Sequence, residues 1–458
     1  MRLLKFIFSR FFICITVIAA LTAAIIFLCV YIHSLLPAAA AVALAYAISV
    51  AAALSLLAGD SPSEFKYGWL TLIVALPVAG SVLYFISYIS RAHRSRRDVL
   101  PPPATCVSYE YFADGATLLD RLTALISAAN RQVYLEFYIL SKGHIWGAIL
   151  RELKKALARG VEVKIIYDGL GSALRAPKRD FKELRKGGAQ IKTFNRLLPL
   201  PVSRLNFRDH RKIAAIDRKA VFIGGVNIAD EYANLSSPHG YWKDGGALFF
   251  GGLAEYYSDV FLQAFGEKQS DCPQYMHPLT EKLEFRPIVD DPVTKGSICE
   301  DLLASAIYSA TERIYVFTPY LCMGDKLKDA LLFAARRGAD VKIIIPHIPD
   351  KKLTFAVTRT YCEELAAQGV KIFEFTPGFM HFKGVICDDK ALLGSYNFDY
   401  RSMRLNYECG VLGGAPLAED MARDFESCLA LSAEYEQKKR NAAIRFIQCF
   451  LRLIAPLV

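Results

Sequence analysis

No CxxC pair occurs among the eleven cysteines, and no Cys/His spacing resembles a zinc site. That excludes a small disulfide scaffold and a structural metal, and leaves most of the thiols as small buried hydrophobes in a reduced compartment. Acidic charge is nearly missing from the first 97 residues, where eight Lys and Arg face only Asp60 and Glu64. That segment holds six of the net +10 charges, so the remaining roughly 360 residues lack the clustered basic surface a nucleic-acid partner requires. The composition also excludes disorder and a collagen-like repeat. Charge of either sign is absent from three apolar runs, 11–32, 35–58 and 67–89.

What is present is a hybrid chain. Its 458 residues correspond to about three units at ~150 residues each. A hydrophobic fraction of 53% is high for a soluble protein, and 22% charged residues are too many for one wholly embedded in lipid. Each apolar run is long enough to cross ~30 Å of hydrocarbon. The first follows Arg2, Lys5 and Arg10, yet it is too long for a signal peptide, lacks an A-x-A site and is followed directly by further runs. Cations cluster there and again at Arg91, Arg94, Arg96 and Arg97, which places both flanks on the cytoplasmic side. Three crossings would separate them, so two true crossings are expected, with one run re-entrant or packed without crossing. The second run, rich in alanine and containing Pro37, is the least lipophilic.

Beyond the proline linker at 101–103 the chain repeats itself at an offset near 180 residues. A β-like segment beginning at Arg131, a helical pattern ending at Gly160 and a second strand following it reappear from Arg313, through Gly338, to the strand from Asp340. Ile/Val-rich strands alternating with amphipathic helices predict βαβ units around a largely parallel sheet. The expected fold class is α/β: two similar halves related by an approximate two-fold axis, preceded by an N-terminal α-helical transmembrane region.

Chemistry concentrates at matching points of the repeats. His210, Lys212 and Asp217 form one HxKxxxxD pattern, followed after six residues by Gly224, Gly225 and Asn227; His381, Lys383 and Asp388 form the other, followed after five by Gly394, Ser395 and Asn397. On a strand, positions i and i+2 share a face, so each histidine lies beside its lysine, while Ile213, Ile216, Val385 and Ile386 can face a core. One neutral imidazole can attack phosphorus and a second, protonated one can supply the leaving oxygen with its proton. Lys212, Lys383, Asn227, Asn397 and Ser395 can hold the phosphate oxygens, with no metal or cofactor required. His210, Lys212, Asp217, His381, Lys383 and Asp388 are thus the candidate catalytic set, although Asp217 and Asp388 stand near strand ends, where a turn-fixing role suits them. Asp244 and Glu408 can accept the second imidazole N–H and fix its tautomer.

These motifs resemble the phospholipase D superfamily, and the wider pattern is similar to bacterial cardiolipin synthases. The similarity rests on the basic start before apolar runs, the segments around Asp209 to Ile213, Phe222 to Tyr232, Tyr241 to Asp244 and Gly394 to Ser402, and Leu405 to Glu408. It implies that phosphatidylglycerol is both donor and acceptor: a phosphatidyl-histidine forms with release of glycerol, and a second phosphatidylglycerol attacks it to give cardiolipin. His210 and His381 are then nucleophile and general acid; near-symmetry leaves the order open, and His210 is taken as the nucleophile. The shorter second spacing predicts a shorter hairpin, and Gly246 and Ala247 replace polar residues frequent after the Trp-x-Asp segment.

The expected divisions are 1–97, the transmembrane region; 98–290 and 291–436, the two halves; and 437–458, an amphipathic helix able to lie in anionic headgroups, with Arg445 and Arg452 on one face and Ile447, Phe450, Leu451 and Ile454 on the other. The expected location is the bacterial inner membrane, multi-pass, with the catalytic region cytoplasmic. The expected partners are phosphatidylglycerol and anionic lipid, without nucleic acid; the sequence leaves the oligomeric state open. Rival readings are a phospholipase D hydrolase releasing phosphatidic acid, a superfamily nuclease and a non-catalytic membrane scaffold.

Overall fold

A computed structural model describes residues 22–28, 30, 38–59, 63–89, 101–196, 206–267, 283–293, 296–436 and 442–457. Two compact units divide them: one takes the described residues up to 89 and those from 442 onward, the other takes 101–436.

In the first unit the second apolar run is one helix, Ala38–Ala58, about half alanine and exposing Val42, Leu44, Val50 and Leu54. The third run breaks at Pro77, which has no N–H for a continuous helical ladder, into Ser63–Ala75 and Pro77–Ile89, of 13 residues each. These arms fold back on one another. Trp69 meets Tyr84 edge-on with ring centroids 5.7 Å apart, and Gly80 approaches Leu72 so closely that an added Cβ would stand 2.4 Å from its carbonyl oxygen. Each arm is about 20 Å long, short of the ~30 Å hydrocarbon core. Ala52, Leu56, Ile73 and Tyr84 form a small core among the three helices.

Among the described residues no helix is long and apolar enough to cross a membrane, and most of the first run lies outside them. The crossings expected from the runs therefore find no support in the described helices, and the run that folds back is the third. The terminal helix Ala442–Ile454 packs against Ser63–Ala75. It buries Gln448 and leaves Phe446, Ile447, Phe450 and Leu453 exposed, so its apolar stripe points outward.

The second unit carries the duplication. From its centre outward, the first half pairs the strands Ala104–Phe112, Gly246–Gly251, Ala220–Gly224, Lys212–Ile216, Gln132–Phe137, Glu162–Asp168 and Gln190–Phe194. The second half repeats this order with Leu283–Asp290, Asn406–Gly413, Lys390–Gly394, Gly384–Cys387, Arg313–Phe317, Asp340–Pro346 and Lys371–Phe375. The halves join where Ala104–Phe112 and Leu283–Asp290 run antiparallel, the position of the approximate two-fold axis.

The sheet is mixed rather than largely parallel. In each half the three strands joined by helical crossovers are parallel; Ser432–Glu434 adds an antiparallel edge to Lys371–Phe375, and the short Arg208–Asp209 pairs in parallel with Asn406–Gly413. The inner strands are antiparallel because each HxK strand turns straight back into its neighbour, and a tight hairpin permits no other pairing. Alternate residues pack on opposite faces of the HxK strand: Ile213 and Ala215 enter one core, Ala214 and Ile216 the other. With both faces covered, the strand is rigid where it delivers its histidine.

Candidate active site

Short bridges between the halves place the two histidines. Arg208–Asp209 pairs in parallel with Asn406 and Tyr407, and the His210 amide donates to the Tyr407 carbonyl at 2.9 Å. Gly378–Met380 pairs with Tyr241–Lys243, and the His381 amide donates to the Lys243 carbonyl at 2.8 Å. One residue beyond each bridge stands a carboxylate of the opposite half. Nδ1 of His210 lies 3.0 Å from both oxygens of Glu408, and Nδ1 of His381 lies 2.5 Å from Oδ2 of Asp244. Each imidazole can therefore donate Nδ1–H to the other half, which turns Nε2 of His210 to the chemistry, while Nε2 of His381 lies 3.2 Å from Nζ of Lys383.

The surroundings set the charge states. Burial, reinforced by Lys212 and Lys383 and opposed by Glu408, lowers His210 to about 4. Burial and the nearby Lys383, Lys212 and His210 push His381 well below its usual range. Burial also lowers Lys212 to about 8 and Lys383 to about 7, and raises Asp244 to about 6. Glu408 behaves differently: burial opposes its charge, but His210, Lys212 and the Ser395 hydroxyl together hold it below the ordinary carboxylate range. Lys212 donates to the His210 carbonyl at 2.5 Å. Lys383 donates to the His381 carbonyl and stands 2.8 Å from Nδ1 of that ring. Two buried ammonium groups thus flank two imidazoles, an arrangement suited to an anionic phosphodiester.

The other sequence candidates divide by task. Ser395 donates its one hydroxyl proton to Glu408 and accepts from the Cys409 amide, so it orients Glu408. Its counterpart is Gly225, where a Cβ would stand 2.3 Å from Asp244. Asn227 is likewise committed: Oδ1 accepts from Ile139 N at 2.9 Å, and Nδ2 donates to the Tyr232 hydroxyl at 2.7 Å. Its carbonyl and one N–H thus hold the walls of the site, and the second Nδ2 hydrogen is not engaged by either bond. Asn397 is buried with its Oδ1 unpartnered.

Asp217 and Asp388 lie at the far ends of their strands. Asp217 accepts the backbone amides of Asn130, Arg131 and Gln132 at 2.8–3.0 Å; Asp388 accepts those of Thr311, Glu312 and Arg313 at 2.8–3.0 Å. Both adopt positive φ, 55° and 53°, which aspartate tolerates in turns. That removes them from the reacting groups and gives them the turn-fixing role. Asp217→Ala is expected to cost about 1–3 kcal/mol of stability through the orphaned amides while activity per folded molecule persists. Thermal denaturation alongside turnover checks this; lost turnover at unchanged stability would put Asp217 back in the site.

The shorter second spacing is absorbed in the turn. Ile216 pairs with Ala220 across three residues, whereas Cys387 pairs with Lys390 across two. Ile213 opposite Ile223 matches Gly384 opposite Leu393, so the register beside the histidines is the same in both halves.

Several wall residues escaped the sequence reading. Tyr138 meets His210 edge-on at 5.1 Å, and Tyr232 and Trp242 pack on His381 at 5.3 and 5.1 Å. Lys243 forms a buried pair with Asp424 at 2.7 Å. Arg211 pairs with Glu136 at 2.6 Å and Asp209 at 3.0 Å. A signal existed for some: Asp209 and Arg211 flank His210, Lys243 precedes Asp244, and Tyr138 sits at the end of a repeated strand.

Two α/β halves that each deliver a His-x-Lys segment, leading into an inner strand, to one buried centre define the phospholipase D class of fold. The family model described as "Cardiolipin synthase, PLD-like domain" matches residues 122–237 and 303–429, and the chain belongs to that family. The resemblance read from the two motifs is thereby borne out. An uncharacterized protein of Streptococcus mutans is 35% identical, with 76% of this chain and 78% of that one covered. A protein of Oceanobacillus iheyensis named cardiolipin synthase is 30% identical over 76% of this chain and 75% of its own. Among solved structures, phosphatidylserine synthase of Haemophilus influenzae shares the fold with a TM-score of 0.61 at 17% identity, covering 78% of this chain and 97% of that one.

Proposed function

We propose that the chain is a membrane-bound phosphatidyltransferase that makes cardiolipin and glycerol from two phosphatidylglycerol molecules. The observation that carries this reading is the pair of imidazoles, each held through Nδ1 by a carboxylate of the opposite half, with Lys212 and Lys383 beside them. Nε2 of His210 attacks phosphorus; a P–N bond forms and the P–O bond to glycerol breaks. His381, protonated once the substrate's negative charge offsets the lysines, gives its proton to the departing oxygen. The headgroup hydroxyl of a second phosphatidylglycerol then returns a proton to His381 and attacks phosphorus, and the P–N bond breaks. Lys212 and Lys383 stabilise the charge on the phosphate oxygens. Domains at 1–97, 98–290, 291–436 and 437–458 and a multi-pass position in the bacterial inner membrane, catalytic halves cytoplasmic, complete the proposal. The exposed apolar side chains of the helical unit, Val42, Leu44, Val74 and Phe446 among them, support a lipid setting.

Mass spectrometry of lipids after incubating the purified protein with phosphatidylglycerol vesicles tests the reading. Cardiolipin with free glycerol is expected. Phosphatidic acid would make the protein a hydrolase, and unchanged lipid would leave a scaffold.

Two further outcomes follow from the charges. The rate should fall below about pH 4, as His210 gains a proton and loses its lone pair, and above about pH 7 to 8, as first Lys383 and then Lys212 lose theirs; the groups titrate as a cluster. A kcat/KM profile flat from pH 7 to about 9.5 would sink this assignment. Because imidazole and ammonium groups supply nucleophile, acid and positive charge, activity is expected to persist in excess EDTA. Loss there, restored by one added metal, would defeat the mechanism.

A further inference from the structure

Single exposed leucines are ordinary on protein surfaces, but four large apolar side chains of the catalytic unit stand on segments that lead directly to the two histidines. Leu174 is 85% exposed, Leu235 59%, Leu353 41% and Ile348 38%. The loop carrying Leu174 is tied to the His210 wall, since Ser172 donates to the Tyr138 carbonyl at 3.0 Å. Leu235 follows Asn234, whose side chain holds Trp242 at the backbone N and O. The Ile348 amide donates to the carbonyl of Gly378, three residues before His381. Leu353 lies in the first turn of the helix Lys352–Ala366, just after Lys351, whose Nζ reaches the Tyr320 hydroxyl at 2.7 Å, and Tyr320 packs on Phe379 beside His381. The segments of Leu174, Ile348 and Leu353 follow the C-terminal ends of the parallel strands Glu162–Asp168 and Asp340–Pro346, the end on which both histidines sit. That of Leu235 follows the antiparallel strand Ala220–Gly224, whose Ile223 pairs with Ile213.

Cations alternate with these residues. Lys142, Arg175, Lys178 and Arg179 are exposed around Leu174, and Lys351 and Lys352 precede Leu353. Two of these cations are paired already, Arg175 with Glu231 and Lys351 with Asp350, which leaves Lys142, Lys178, Arg179 and Lys352 to meet headgroups. Apolar tips set among Lys and Arg match a layer of hydrocarbon beneath anionic headgroups.

We infer that this rim is a membrane-insertion surface, which seats the catalytic unit mouth-down on an anionic bilayer so that a lipid headgroup reaches the histidines without leaving the layer. The inference deepens the proposed lipid reaction and rests on it for its purpose, but its first test does not need turnover. An environment-sensitive fluorescent amino acid placed at position 174 or 235 of the full chain, with phosphatidylglycerol vesicles, should shift to the blue and be quenched by nitroxide-bearing lipids. The same probe at position 186, at the other end of the adjoining strands, should stay aqueous. Probes at 174 and 235 that remain accessible to aqueous iodide would overturn the inference and leave the rim to a protein partner.

A second readout separates this from the reaction itself. Leu174→Asp with Leu235→Asp should lower activity at least tenfold on phosphatidylglycerol vesicles and leave it within twofold on a short-chain phosphatidylglycerol dispersed as monomers. Equal activity on vesicles, or equal loss on both substrates, would reject the surface. Wild-type protein inactive on both, with its probes still inserted, would reject the reaction and keep the surface.

Discussion

His210→Ala is expected to lower turnover by about 10⁴- to 10⁶-fold, the scale on which enzymes lose a covalent nucleophile. Among the described residues no other imidazole meets Glu408, and an alanine leaves phosphorus nothing to bond. The fold should survive, because the carboxylate left behind retains the Ser395 hydroxyl and the Asn406 amide at 3.1 Å. The check is twofold: initial rates on phosphatidylglycerol, and trapping of a phosphorus-labelled protein, which should appear in the wild type and vanish in the variant. Turnover near the wild-type level with an unchanged melting temperature would refute the assigned nucleophile.

His381→Ala should also cost orders of magnitude, but in a way that depends on the leaving group. An acid is worth about 10²- to 10⁴-fold when the departing oxygen is as basic as that of glycerol, and far less when it departs readily as an anion. His381→Ala, and Asp244→Asn behind it, should therefore fail on phosphatidylglycerol yet recover much of the loss on a nitrophenyl phosphodiester of the same lipid. His210→Ala should recover nothing. Opposite behaviour would exchange the roles of the two histidines, and equal losses on both donors would remove the acid–nucleophile division altogether. The different supports of the pair motivate this order: Glu408, with Ser395, is held anionic behind His210, whereas Asp244, with Gly225 in the matching place, is raised to about 6 behind His381.

Much of this was written in the linear chain. The repeat at Arg131 and Arg313 shows as like patterns near 180 residues apart. The turn-fixing suited to Asp217 and Asp388 depends on a spacing of five residues from each lysine, which a strand and its turn convert directly into geometry; the histidines themselves stand just ahead of the strands Lys212–Ile216 and Gly384–Cys387. The match of two such motifs was enough to expect one centre from two halves. Tertiary structure alone decided how that centre is wired. Glu408 serves His210 and Asp244 serves His381 because short bridges align segments 198 and 137 residues apart, a register fixed by packing between the halves and not by any local pattern. For the same reason Asn227 came to brace Ile139 and Tyr232, and the third apolar run, uniform in hydropathy, folded back at Pro77. Composition measures how much surface prefers to leave water; which surface covers it is settled only when the chain is closed on itself.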